Sequence, residues 1–185
     1  MDVNDSRYAG LDRRIVAYAI DVLSLYAVLG GLQYALSWLL GGFPFDRLTT
    51  GPRVEVWVLL TISLPTWLYF TFSESGSRQA TLGKRVFRLR VTDVHQERIS
   101  RLRAFFRTIL KLLPWELTHL SLLLPTPILT DPKPQPRLGL ILVYLLLGLY
   151  MLSMIFTPRK RSIHDLLAGT LVLQTAKKGE QLDEN

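Results

Sequence analysis

The sequence predicts an all-α polytopic membrane protein: a four-helix transmembrane bundle with N and C termini cytoplasmic and a small cytoplasmic β element. Three observations lead there. Mean hydropathy is +0.23 although 20% of the 185 residues are charged, so the apolar residues must come in long runs. Four stretches have the ~20-residue length that a helix needs to cross ~30 Å of hydrocarbon. The lysines and arginines between those stretches sort to alternate sides. The chain has no cysteine, which excludes disulfide scaffolds and cysteine metal or redox centres.

The first span, 15–40, holds one charged residue, Asp21. The second, 54–72, has Glu55 at its edge and Pro65 inside. The fourth, 138–156, has no charge. The third, 105–124, is the polar one, with Arg107, Lys111, Glu116 and His119, and Pro114 in its interior. Its first half also has the pattern of an amphipathic surface helix, because Arg103, Arg107 and Lys111 fall four apart. Charge sorting favours a span. Three Lys/Arg precede span one, eight lie in the segment 73–104 and five follow span four, against four in the two outer linkers. A bundle with both ends cytoplasmic puts that excess inside. A third helix lying on the surface would instead turn Arg159, Lys160 and Arg161 outward.

The expected organisation is a cytoplasmic segment 1–14, a membrane domain 15–173 and a polar tail 174–185. The first apolar run exceeds a signal-peptide core and reads as a retained anchor. The outer linker Pro125 to Pro136 carries five of the ten prolines and predicts an extended strap. In the segment 73–104, Val86 to Val94 alternates with period two and predicts a strand. Arg98 to Ser100 would begin a returning strand, and Thr170 to Leu173 a third. The run Ser75 to Arg85 contains Gly-Lys. It is no phosphate loop, since the glycine spacing is wrong and Arg85 replaces the magnesium-binding hydroxyl. It predicts a basic turn on anionic lipid headgroups.

The polar residues inside apolar surroundings are the candidate site. A carboxylate at mid-span costs ~2.5–3.5 kcal/mol on insertion scales, so Asp21 implies a partner or a task. Arg14, Ala17 and Asp21 share one helix face, and small Ala17 lets another helix approach. Arg14 and Asp21 are ~10 Å apart along the axis, so each needs a partner elsewhere. Topology puts Asp165 beside Arg14, as a structural ion pair. For Asp21 the candidates are Lys111, Arg107 and His119. Glu116 lies ~16 Å into its span, with His119 one turn on, so Asp21, Glu116 and His119 could form a polar ion or proton track. The plainer readings are helix packing for these three and snorkelling for the Arg103–Arg107–Lys111 stripe.

At these residues the chain resembles the RDD family of bacterial membrane proteins. Arg13-Arg14-Ile15-Val16-Ala17-Tyr18-Ala19-Ile20-Asp21 is similar to its first-helix signature. Thr81-Leu82-Gly83-Lys84-Arg85 with Leu89-Arg90-Val91-Thr92-Asp93 is similar to its central stretch. Arg161-Ser162-Ile163-His164-Asp165 through Thr170 is similar to its C-terminal His-Asp segment. The resemblance implies Arg14 (with Arg13 the competitor) as the family arginine, and Asp21 and Asp165 as its two aspartates. Two features depart from the pattern: Val94 to Glu97 lacks an Asp-Gly turn, and the third span is unusually charged. Transport of undefined ligands, and sodium/proton exchange in some members, is what the family implies about activity.

The expected function is therefore a small transporter or cation/proton exchanger, oligomeric because four helices leave little room for alternating access. Asp21 would be the exchanging carboxylate, with Glu116 and His119 as relays. The alternative is a non-transporting scaffold that binds anionic lipid or a partner protein. No enzyme, cofactor or metal site is expected: His164 and Asp165 are sequence neighbours that diverge on a helix, and the three histidines are scattered. Nucleic acid is not an expected partner, because topology accounts for the positive charge. The expected location is the bacterial inner membrane, multi-pass.

Overall fold

The apolar runs fold as helices, and each end has a local cause. In the computed structural model, which describes residues 7–128 and 130–175, α1 is Leu11–Leu39. It begins ahead of the expected residue 15 because Gly10 takes the cap position and Asp12 faces the positive helix end. It stops before Gly41 and Gly42, both at positive φ, where glycine turns the chain at no steric cost.

The second apolar run is continuous from Gly51 to Ser75 in three pieces. They are α2 (Gly51–Val58), a π-helical turn (Leu59–Ser63) and α3 (Leu64–Ser75). Pro65 explains the wide turn. It has no N–H to give and its ring crowds the carbonyl one turn back, and a π turn makes room for it.

α5 (Arg101–Leu123) runs unbroken through Pro114. Proline leaves the Leu110 carbonyl without a helical donor, and the Tyr150 hydroxyl donates to that oxygen from α6 (Leu138–Phe156). α5 packs on both α3 and α6. It is the bundle's central helix.

Among the described residues three helices are long and apolar enough to cross a bilayer: Leu11–Leu39, Gly51–Ser75 and Leu138–Phe156. Much of their apolar surface is left uncovered by protein, as at Leu23 (70% exposed) and Phe156 (79%). This makes the chain a multi-pass membrane protein. α5 has the length of a span but not the composition.

A small polar cap closes one end. Its sheet has two antiparallel strands, β1 (Leu89–Asp93) and β2 (Thr170–Gln174), paired from Leu89 opposite Gln174 to Asp93 opposite Thr170. Ala9 N–H donates to the Val172 carbonyl at 3.0 Å and Tyr8 bridges Leu173. The segment before α1 thus lies along the sheet. Ala9, Ala17, Leu89, Val91, Ile99, Ala104 and Val172 form the core beneath it. Two short helices complete the cap: α4 (Leu82–Val86) and α7 (Ile163–Leu167).

Three expectations need correction. The strand expected over 86–94 shortens to Leu89–Asp93 because Thr81 caps α4, accepting from Lys84 N–H at 3.4 Å. Arg98 to Ser100 is not a strand: Arg98 Nε donates to the Ser75 carbonyl at 2.5 Å and Ser100 caps α5. The proline-rich linker folds back instead of stretching. Ile128 N–H reaches the Leu122 carbonyl at 2.8 Å, and Arg137 donates to the Ser121 and Thr126 carbonyls at 2.9 and 2.7 Å. Most of the expected tail (176–185) and the start of the N-terminal segment (1–6) lie outside the described residues.

Candidate functional site

Where the bundle meets the cap, four cations and two acids interlock. Asp165 sits in the first turn of α7, in a capping box with Ser162. Its Oδ2 accepts from Arg14 Nη1 at 2.6 Å. Its Oδ1 accepts from Arg107 Nη2 at 2.7 Å, Arg107 Nε at 3.0 Å and the Thr170 hydroxyl at 3.1 Å. The other Arg107 terminal nitrogen donates to Glu74 at the end of α3. Glu74 is also bonded by Lys84 of α4, and more distantly by Lys111 of α5 at 3.5 Å.

Glu74 and Asp165 have no exposed surface and Arg107 is 2% exposed. Arginine suits this place because its planar fork can serve two carboxylates at once. Burial pushes the Asp165 carboxyl up, but the charges of Arg107 and Arg14 outweigh that and hold it well below the usual carboxylate range. Burial lowers His164 to about 3, so its imidazole is neutral. Burial also lowers Lys84, against the pull of Glu74.

The structure thus brings Arg14 and Asp165 together. Arg13, the other candidate arginine, is exposed. The Arg103–Arg107–Lys111 stripe does not snorkel as a unit. Arg107 turns inward, while exposed Arg103 lies 3.6 Å from Asp93.

Asp21 has different partners from those expected. Its Oδ1 accepts from the Tyr69 hydroxyl at 2.7 Å and from Gly83 N–H at 2.8 Å, and its Oδ2 accepts from the Thr81 hydroxyl at 2.6 Å. Among the described residues no cation bridges it. The cause is α4, which settles on α1 where Ala17 and Gly83 are both small. Asp21 therefore fastens the start of α4. Lys111, one expected partner, instead rests over the Phe70 ring, 3.2 Å from its centroid.

The expected track from Asp21 through Glu116 to His119 is divided. Glu116 turns to the π turn and α3, accepting from the Ser63 hydroxyl at 3.0 Å and Trp67 Nε1 at 3.1 Å. His119 packs edge-on against Trp115 with centroids 4.5 Å apart. Its Nδ1 is buried without a hydrogen-bond partner. So are both carboxylate oxygens of Glu55, which is 5% exposed.

Sequence reasoning missed Glu74, Lys84 and Tyr69 as site residues, and treated Glu55 as a span edge. A signal for Glu74 existed: it is the one acid between the second span and a strongly basic segment.

Next to this network lies a cavity of about 330 Å³ between α1, α5 and α6. Arg14, Lys84, Arg107, Lys111 and His164 reach its polar end, and Val143, Leu147 and Met154 line its apolar wall. Among the described residues no three His, Cys, Asp or Glu side chains form a metal-holding group.

The RDD family model matches residues 8–169 of the chain. No curated protein matches it, and no solved structure does.

Proposed function

This chain belongs to the RDD family, and on that premise we propose a small cation/proton exchanger of the bacterial inner membrane. It crosses the membrane four times with both ends and the cap cytoplasmic, and it works as a homo-oligomer. α5 serves as the third crossing. Beyond its exposed first turn, its charges face protein: Arg107 and Lys111 reach Glu74, and Glu116 reaches Ser63 and Trp67. The side chains it leaves uncovered include Phe106 and Leu120, which are apolar and suited to lipid. The basic residues of the cap match a cytoplasmic placement beside anionic headgroups.

The observation that carries exchange is Glu55. A buried carboxylate with no donor on either oxygen is stable only with a proton or a cation on it. Glu116 bonds to Ser63 in the same helical run as Glu55, and His119, whose Nδ1 is buried without a hydrogen-bond partner, lies one turn from Glu116 on α5. In this reading Glu55 and Glu116 are the exchanging pair and His119 their relay. Asp21 is a clasp, because three donors from α3 and the start of α4 already hold its two oxygens.

The test is proton flux in proteoliposomes on addition of sodium or potassium. Glu55→Gln is expected to abolish a flux that the parent supports, while Asp21→Asn keeps the flux and melts earlier in detergent. Flux that survives Glu55→Gln, or a parent that passes no protons with either cation, sinks the proposal. A silent parent favours the second reading, a non-transporting scaffold, which the three-donor clasp at Asp21 also suits.

A further inference from the structure

The cavity between α1 and α6 combines two features that ask for an occupant of one kind. Its mouth opens on an apolar flank: lining residues Ile15 of α1 and Leu147 of α6 are 47% and 43% exposed. They stand on the flank that these two spanning helices leave uncovered. Its far end is electropositive. Arg14, Lys84, Arg107 and Lys111 gather there against Asp21, Glu74 and Asp165, four basic groups against three acids.

The unmet charge can be located. Glu74 is shared by three cations, and Lys111 has the longest of those contacts, 3.5 Å. Lys111 leans instead on the faces of Phe70 and Tyr18, a weaker partner than a carboxylate. Arg14 spends Nη1 on Asp165, while its Nη2 is buried with no hydrogen-bond partner. A desolvated cation and an idle guanidinium N–H beside one cavity make a receptor for a single negative charge with several acceptor oxygens. A phosphodiester has that chemistry. The volume lies at the lower end of small-ligand sites, which suits a headgroup whose chains remain outside in the α1–α6 groove.

We propose that this cleft binds one anionic glycerophospholipid of the adjoining leaflet. Its phosphodiester sits between Lys111 and Arg14, and an acyl chain lies along Ile15, Val143 and Leu147. This site is separate from Glu55 and does not depend on the exchange reading.

Trp115 lines the cavity and supplies the readout. The full chain with Trp38, Trp57 and Trp67 changed to Phe is placed in phosphatidylcholine nanodiscs. These are doped with equal small fractions of either phosphatidylglycerol or phosphatidylcholine carrying brominated chains. Brominated phosphatidylglycerol is expected to quench Trp115 at roughly tenfold lower mole fraction. Lys111→Gln should equalise the two lipids and Lys111→Arg should keep the preference. Leu147→Tyr, which narrows the mouth and changes no charge, should also remove it, so the outcome does not rest on one variant's folding. Equal quenching by the two lipids in the parent, or a preference that persists in both Lys111→Gln and Leu147→Tyr, overturns the proposal.

Discussion

Gly83 sits so close to Ala17 that a Cβ built on it would stand 1.9 Å from the Ala17 carbonyl oxygen. This contact lets α4 lie on α1 and brings Gly83 N–H within 2.8 Å of Asp21. Gly83→Ala should force the two backbones apart and lengthen that bond, at a cost of about 1–3 kcal/mol. Gly148→Ala is the control, since nothing stands within 4 Å of a Cβ there, and a helical alanine should be neutral or stabilising. Thermal unfolding in detergent should separate the two variants. Equal melting temperatures would mean that α4 does not dock as described.

Arg107 is the hinge of the charge network, touching Glu74 with one nitrogen and Asp165 with two others. Arg107→Met leaves both acids short of a partner in a buried place, which should cost about 3–5 kcal/mol. Arg107→Lys restores the charge but cannot hold both carboxylates through a planar fork, so it should recover only part of the loss. Denaturation of the purified variants measures this. Full recovery by lysine would show that charge alone matters.

Acid should weaken the cap in two stages. In the unfolded chain a histidine takes its proton near pH ~6.5, whereas folded His164 resists until about 3. Stability is thus present above the unfolded value and falls as pH drops below it, by at most ~1.4 kcal/mol per pH unit. Asp165 adds a second loss near and below the ordinary carboxyl range, because its folded value is depressed. Melting curves between neutral and acid pH should show both stages. His164→Gln should remove the upper one, and an unchanged profile in that variant would refute the assignment.

Tyr150 compensates for Pro114 by donating to the Leu110 carbonyl. Tyr150→Phe keeps the ring near His164 and removes only the donor. The stranded carbonyl should cost about 1–3 kcal/mol and speed amide exchange in the middle of α5. Exchange mass spectrometry that finds the middle of α5 unchanged would mean another donor takes over.

The long apolar runs and the pairing strand at Thr170 were legible because periodicity and length are local properties. The meeting of Arg14 and Asp165 was legible for another reason: topology alone puts both at one end of the bundle. Asp21 shows where this stops. Its partners come from α3, α4 and the residue before α4, and no spacing within α1 tells which foreign segment will cover that face. Glu74 was hidden because hydropathy ends the second span at Phe72, while the helix continues to Ser75. Glu55 was passed over because its position near a span end suggests solvent, a reading that ignores α5 packed against α2. In each case the deciding fact was a contact between distant segments.

The acid that joins two arginines stands late in the chain: Asp165 follows Arg14 by 151 residues and Arg107 by 58. While the ribosome is still at work, both guanidinium groups must wait, Arg107 with only Glu74 for company. A nascent chain halted before α7 therefore keeps uncompensated positive charge at the bundle's edge and one edge of β1 open. The last helix and the strand after it therefore complete the charge balance and the sheet together.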